Sequence, residues 1–183
     1  MPWEPRCVYS SPSTGDLLVA MYNIYTNRQC KVVRYNSRGE KIQTIQYKNI
    51  GQILYSRPLY ITENRNGDVI VSDAVHDAVV VTDCGGRHRF SYTGPPSGSQ
   101  LLPKGICVDA LSHILVCDLY SNKVQMIDQD GHSLPLTQTQ HGVVKPGSVS
   151  YDNKTHLLWV GSRCNNTVNI YRCCRKDLLT GKL

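Results

Sequence analysis

The chain has 183 residues, of which 40 % are hydrophobic, and it carries a formal net charge of +6 with a pI near 8.9. This hydrophobic content excludes wholesale disorder, and the length suits one domain that can bury a core. The positive charge favours acidic partners but is modest for a nucleic-acid-binding protein.

No targeting or membrane segment is visible in the sequence. The first residues, MPWEPR, lack the apolar stretch of a signal peptide. Apolar runs such as Leu17–Met21 and Ala78–Val81 have the length of strands, far short of a membrane span. We therefore expect a cytoplasmic protein without a membrane partner.

The eight cysteines lack the spacing of a metal site, since no C-x-x-C pair occurs. Without a secretory signal, a disulfide scaffold is not expected either. Several cysteines lie in apolar runs, where a free thiol acts as a small hydrophobe. The cysteines in apolar runs are Cys7, Cys107, Cys117 and Cys173. We therefore expect no metal and no cofactor.

A repeat of about 45 residues runs along the chain. The first copy opens at Arg6, and its segment Gly15–Ala20 matches Gly67–Ser72 of the second copy. Its Gly39 matches Gly131 of the third copy only with an insertion of about five residues near Tyr22–Asn27. Each later copy opens at a proline, and an apolar second strand begins eleven residues further on. These openings and strand starts are Pro58 and Val69, Pro103 and Ile114, and Pro146 and Leu157.

Each copy predicts four short strands, and the continuous apolar second strand indicates burial on both faces. Stacked four-stranded blades provide that environment, so the fold class is all-β, a β-propeller of about four blades. The fourth copy has no clear fourth strand. The predicted propeller domain covers residues 1–174, with blades at 6–50, 57–95, 103–140 and 146–174 and a tail at 175–183.

The position fifteen residues after each proline holds Asp73, Asp118 and Gly161 in turn. A metal-dependent propeller hydrolase, with carboxylates around a central ion, is therefore one alternative function. Gly161 would leave that ring incomplete, and Asp at a strand end ordinarily accepts hydrogen bonds from the following turn. We predict the latter role for both aspartates.

The segment Pro103–Gly131 reads P-x-G-I-x-V-D…I-L-V-x-D…N-K-V-Q-M-I-D-x-D-G and resembles the NHL repeat. From Arg6 to Arg172 the chain is similar to the C-terminal part of tripartite-motif NHL proteins, especially molluscan ones. The resemblance implies a six-bladed ring, with further blades and a RING, B-box and coiled coil upstream in a full-length relative. Those relatives are E3 ubiquitin ligases. This chain contains no zinc-spaced cysteines, so we expect a non-enzymatic module that binds a protein substrate or regulator for ubiquitination.

Propeller topology also sorts the charges onto two faces. The face formed by the loops between second and third strands, and between blades, is rich in bases and has Asp77 as its loop acid. Some relatives bind RNA on this face, so an RNA-binding propeller in post-transcriptional regulation is the second alternative. The candidate residues for binding a partner or RNA are Arg28, Lys31, Lys48, Arg57, Lys104, Tyr120, Lys123, His141, Lys145 and Arg163.

Overall fold

The computed structural model describes residues 3–25, 29–136 and 143–173. The chain forms two compact units, Met1–Tyr92 (unit 1) and Thr93–Leu183 (unit 2). The described residues form strands and turns and no helix, so no membrane-spanning helix occurs among them. Arg28, His141 and the predicted tail at 175–183 lie outside the described residues.

Unit 1 contains two antiparallel sheets of four strands in sequential order and one short hairpin. The two sheets fall in the first two copies of the repeat, which did not predict the hairpin. Blade 1 is formed by β1 (Glu4–Ser10), β2 (Leu17–Tyr22), β3 (Cys30–Tyr35) and β4 (Lys41–Ile45). The hairpin is formed by β5 (Tyr47–Asn49) and β6 (Gln52–Ile53), and blade 2 by β7 (Pro58–Glu63), β8 (Val69–Asp73), β9 (Ala78–Thr82) and β10 (His88–Tyr92).

Unit 2 contains one antiparallel sheet of four strands and one that has three strands within the described residues. Blade 3 is formed by β11 (Pro103–Val108), β12 (Ile114–Asp118), β13 (Lys123–Ile127) and β14 (Ser133–Leu134). Blade 4 is formed by β15 (Pro146–Asp152), β16 (Leu157–Ser162) and β17 (Val168–Arg172).

The second strands of blades 2 and 3 are buried along their whole length, as their continuous apolar sequences predict. All five residues of β8 and all five of β12 are buried. In blades 1 and 4 the second strands alternate, with Leu18, Ala20, Leu158 and Val160 fully buried between more accessible neighbours. Burial on both faces is thus confirmed for the two middle copies of the repeat.

Each unit has its own hydrophobic core between its two sheets. In unit 1, Ala20 and Val32 of blade 1 pack in one cluster with Val69 and Val80 of blade 2. In unit 2, Leu115 and Cys117 of blade 3 share a cluster with Leu158 and Val160 of blade 4, and Cys173 is buried there. Cys107 packs against the same core, so these thiols fill apolar space as predicted.

A buried ion pair joins the two blades of unit 1 at one edge of their core. Arg34 on β3 donates from Nη2 to Oε1 of Glu63 at the end of β7, at 2.5 Å, and from Nη1 to Oδ2 of Asp16 at 3.4 Å. The side chains of Arg34 and Glu63 are 10 % and 3 % exposed. Because both charges are largely withdrawn from water, loss of either partner would leave a costly unpaired charge.

Strands β11 and β15 of unit 2 approach each other closely at a glycine. A Cβ on Gly105 of β11 would lie 2.6 Å from Cα of Ser148 and 2.9 Å from N of Val149, both on β15. Both neighbours are backbone atoms, so no side-chain rotation could relieve the overlap. The packing of blade 3 on blade 4 therefore requires glycine here.

We expect Gly105→Ala to reduce the free energy of unfolding by about 2 kcal/mol, because the strands must separate to admit the methyl group. Gly85→Ala is the matched control, since its Cβ would meet only side-chain atoms, of Asp83 and Arg87, the nearest being Oδ1 of Asp83 at 3.2 Å. That control should unfold within about 0.5 kcal/mol of the wild type. Urea unfolding followed by tryptophan fluorescence measures both, and equal stabilities for the two variants would contradict the packing argument.

Candidate functional site

A buried carboxylate organises the loops at one end of blade 2. Asp73, the last residue of β8, is fully buried and accepts hydrogen bonds from four backbone N–H groups. Two belong to the segment that enters β7, Ser56 at 2.6 Å and Arg57 at 3.1 Å. The other two belong to the β8–β9 turn, Val75 and His76, each at 3.1 Å. One side chain thus fixes both loops.

Asp118, at the end of β12, likewise holds two loops of blade 3. Its Oδ1 accepts from the backbone N–H of Leu102 at 2.9 Å and of Tyr120 at 3.0 Å. Its Oδ2 accepts from Oγ of Ser121 and from Nε2 of Gln125, each at 2.6 Å. The prediction that these two aspartates hold the following turns is confirmed.

The equivalent residue in blade 4 is Ser162, and the assignment of Gly161 to this position was wrong by one residue. Pro146 pairs with Ser162, just as the opening prolines of blades 2 and 3 pair with Asp73 and Asp118. The shift arises because the β15–β16 turn is one residue shorter than the β7–β8 turn, so the strands pair over one more residue. Oγ of Ser162 donates to the carbonyl oxygen of Val144 at 2.6 Å.

Blade 1 also departs from the predicted alignment. Pro5, rather than Arg6, occupies the opening position, and it pairs with Met21. The four equivalent positions therefore hold Met21, Asp73, Asp118 and Ser162. Within residues 3–25, 29–136 and 143–173, no group of three or more metal-ligating side chains comes together.

Unit 1 has a pocket of about 310 Å³ beside the loops that Asp73 holds. The exposed guanidinium groups of Arg6 and Arg57 both line it. Neither forms an ion pair with a carboxylate in the described part of the chain. Two uncompensated positive charges at one cavity make it a candidate anion site. The lining consists of Arg6, Tyr22, Ser56, Arg57, Pro58, Leu59 and Val75.

Two contacts restrain lining residues of the pocket, one at Arg6 and one at Ser56. The guanidinium carbon of Arg6 lies 5.0 Å from the ring centroid of Tyr22, within the range of a cation–π contact. The backbone of the lining residue Ser56 is held by Cys30, whose Sγ donates to the Ser56 carbonyl oxygen at 3.0 Å. Burial raises the pKa of Cys30 to about 12, so this thiol stays protonated and offers no nucleophile at neutral pH.

The basic positions of the pocket recur in unit 2. Arg6 is the bulged residue after Pro5 in blade 1, and Lys104 lies in the bulge after Pro103 in blade 3. Arg57 immediately precedes the opening proline of blade 2, and Lys145 immediately precedes that of blade 4. Each unit therefore presents one base on the bulge of its first blade and one at the entrance to its second.

Two further predicted residues, Lys123 and Arg163, lie near Lys145. Its backbone N–H donates to Oδ1 of Asn122 at 3.0 Å, which places Lys145 next to the β12–β13 turn and Lys123. Its carbonyl oxygen accepts from the backbone N–H of Arg163 at 3.0 Å. The Arg163 stem lies against Gly147, where a Cβ would be 2.3 Å from its Cγ. Lys123, Lys145 and Arg163 are all exposed.

Lys31 and Lys48 lie apart from these groups. Lys31 is flanked on β3 by Cys30 and Val32, which face the core of unit 1, so its own side chain projects from the opposite face of the sheet. There Nζ lies 3.8 Å from the ring centroid of Trp3. Burial, with a smaller contribution from other charges, lowers the pKa of Lys31. Lys48 is exposed on the β5–β6 hairpin.

Sequence reasoning missed Arg6 and Tyr22 as site residues. Arg6 was taken as the opening of the first strand, and Tyr22 was placed in an insertion. The pairing of Pro5 with Met21 could have been found by aligning Pro5 with the later opening prolines, since each is followed by a bulge.

No protein-family model matches the chain, and no similar sequence was found among curated proteins. Similar solved structures do exist. A catalytically inactive virginiamycin B lyase from Staphylococcus aureus, crystallised with quinupristin, has a TM-score of 0.61 and 14 % identity over 93 % of this chain and 56 % of its own. A Bacteroides caccae protein of unknown function has a TM-score of 0.66 and 13 % identity over 90 % of this chain and 60 % of its own.

The β-propeller domain of Cps50 (Swd1) from Myceliophteria thermophila has a TM-score of 0.66 and 10 % identity over 94 % of this chain and 55 % of its own. The chain thus spans just over half the length of these structures. At such low identities the likeness shows the fold alone, which is a β-propeller. The prediction of an all-β propeller built from four-stranded blades is confirmed.

We expect Asp118→Asn to lower the free energy of unfolding by about 1–3 kcal/mol. The amide oxygen can still accept from the N–H groups of Leu102 and Tyr120, but an NH₂ group would then face Nε2 of Gln125, which is itself a donor. Asp130→Asn, on an exposed turn of the same blade, is the control and should change stability by less than about 0.5 kcal/mol. Chemical denaturation compares the two, and a stable Asp118→Asn would contradict the role given to this carboxylate.

Proposed function

We propose that this chain is a non-catalytic recognition module that binds an acidic segment of a protein partner. The repetition of two basic positions in each unit, Arg6 with Arg57 and Lys104 with Lys145, is the observation that supports this most directly. Loop bases on a rigid β scaffold can contact an extended acidic chain without any specialised catalytic group. They also steer an acidic partner toward the surface and speed its association.

The resemblance of Pro103–Gly131 to the NHL repeat extends this proposal to a cellular role. In a protein of the tripartite-motif type, the propeller would hold a substrate or regulator in the cytoplasm while an upstream RING performs ubiquitin transfer. The bound partner would then be the protein that is ubiquitinated.

The Lys145–Arg163 pair allows a direct test. We expect the double variant Lys145→Glu/Arg163→Glu to weaken binding of a fluorescein-labelled Glu-rich decapeptide about tenfold, because two favourable surface charges become repulsive. The dependence of affinity on salt should also become shallower. Fluorescence anisotropy at two ionic strengths measures both effects.

The matched control is Lys154→Glu/Arg172→Glu, which makes the same change in net charge elsewhere on blade 4. Both of its residues are exposed, Lys154 on the β15–β16 turn and Arg172 at the end of β17. This control should bind the decapeptide within about twofold of wild type. Equal losses in the two double variants would mean that only net charge matters, and would reject a defined basic surface.

One observation favours RNA as a second candidate ligand. Tyr120 in the β12–β13 turn is 66 % exposed, its backbone is fixed by Asp118, and it lies in the same turn region as Lys123. An exposed aromatic ring beside a lysine can stack on an unpaired nucleobase while the ammonium group contacts a phosphate.

If RNA is the ligand, Tyr120→Ala should weaken binding of a labelled decauridylate at least fivefold at low salt, because base stacking is worth about 1–3 kcal/mol. Tyr60→Ala, on β7 in unit 1 with a ring 39 % exposed, serves as the aromatic control and should have little effect. Charge reversal of Lys104, Lys123 and Lys145 should abolish binding. Absence of decauridylate binding at low salt would reject this candidate.

A further inference from the structure

We propose that the pocket of Arg6 and Arg57 in unit 1 is a phosphomonoester site that takes a phosphorylated serine or threonine side chain of the protein partner. The inference rests on the proposed recognition function and specifies its ligand at one place. Both guanidinium groups are exposed and line a cavity of about 310 Å³.

The charge at the pocket suits a dianion. Arg6 and Arg57 have no carboxylate partner within the described residues, so their charges remain available to a ligand. Asp73 lies beside the pocket, but it is fully buried and its oxygens already accept hydrogen bonds from four backbone N–H groups. A phosphomonoester near neutral pH carries close to two negative charges, which two arginines match, whereas a carboxylate or phosphodiester carries one.

The arginines are also placed for the geometry of phosphate. A guanidinium group presents several N–H donors in a planar fork that can bind two phosphate oxygens at once. The Tyr22 ring supports Arg6 at 5.0 Å, and Asp73 fixes the backbone of Arg57. The Arg6 guanidinium and the Arg57 backbone therefore lose less conformational entropy on binding than those of unsupported surface arginines would.

The remaining walls of the pocket favour a peptide over free phosphate. The Ser56 hydroxyl donates to no acceptor within the described residues and can contribute a hydrogen bond to a phosphate oxygen. Leu59 and Val75, which is 54 % exposed, provide an apolar wall. Neighbouring residues of a bound peptide could bury this apolar surface, which inorganic phosphate cannot do.

The same pocket is poorly suited to RNA bases. One face of the Tyr22 ring is covered by Arg6, so a nucleobase would have to displace that guanidinium in order to stack there. The ring of Trp3, next to β1, is likewise covered by the side chain of Lys31, whose Nζ lies 3.8 Å from the ring centroid. The two arginines of the pocket are therefore better placed to act as positively charged hydrogen-bond donors than as part of a surface on which nucleobases stack.

The test compares three labelled pentapeptides of the sequence Gly-Gly-X-Gly-Gly, where X is phosphoserine, serine or glutamate, by fluorescence anisotropy with the full chain. We expect the phosphoserine peptide to bind at least tenfold more tightly than the serine and glutamate peptides. Arg6→Gln and Arg57→Gln should each reduce its affinity about tenfold, the loss expected when one charge-assisted hydrogen bond is removed.

Arg38→Gln is the matched control, because it removes one exposed arginine of unit 1 from the β3–β4 turn, away from the pocket. Its affinity for the phosphoserine peptide should stay within about twofold of wild type. An equal loss in this control, or equal binding of the phosphoserine and serine peptides, would overturn the proposal. Tighter binding of decauridylate than of the phosphoserine peptide, lost in Arg6→Gln, would also overturn it and indicate an RNA contact.

A second measurement does not depend on the stability of the variants. Titration of the wild-type chain with inorganic phosphate, followed by NMR of the arginine Nε–H groups, should shift the resonances of Arg6 and Arg57 and leave Arg38 in place. Shifts spread evenly over all arginines would overturn the site. If the phosphoserine peptide binds no better than the serine peptide while the Glu-rich decapeptide still binds through Lys145 and Arg163, the phosphate site is rejected and the recognition function stands.

Discussion

In blades 2 and 3, a buried carboxylate at the end of the second strand holds the loops that carry Arg57 and Tyr120. Asp73 and Asp118 are fully buried, and each bonds both the segment that enters its blade and the turn that leaves its second strand. A charged group withdrawn from water is tolerated because several donors surround it. Since each aspartate holds two loops at once, a buried side chain determines the backbone positions of Arg57 and Tyr120, rather than contacts at the surface.

The bulge after the opening proline adds a second constraint. In a regular strand, the residues on either side of a position project from the same face, but an inserted residue breaks that alternation and turns a side chain outward. Arg6 and Lys104 occupy bulges of this kind in their two units. The two units nevertheless differ chemically. Unit 1 presents arginines, which bind oxyanions through a planar fork, and unit 2 presents lysines, which act as point charges. This difference supports a phosphate site in unit 1 and a less specific acidic contact in unit 2.

Much of the fold could be predicted from the sequence because each copy repeats its burial pattern. The apolar runs Val69–Val71 and Ile114–Cys117 predicted buried second strands, and aspartate at their ends predicted the turn contacts. The register of blade 4 could not be predicted, because the length of the β15–β16 turn decides whether Gly161 or Ser162 pairs with Pro146. The pairing of Arg6 with Tyr22 was also inaccessible, since it joins neighbouring strands across a bulge and an apparent insertion. Composition alone does not indicate which bases lack an acidic partner.

The buried thiols and acids of the described residues are engaged in packing and hydrogen bonding. Burial raises the pKa of Cys7 to about 11 and of Cys117 to about 12, so these thiols remain protonated and pack as hydrophobes. The acids Glu63, Asp73 and Asp118 are engaged by Arg34 or by N–H and O–H donors. Exposed cations at the loops, such as Arg57, Lys145 and Arg163, can attract an acidic partner through their charge. The selectivity of such a surface depends on the spatial arrangement of its charged side chains. The repeat sets this arrangement, because it places one basic residue on a bulge and another immediately before the next opening proline.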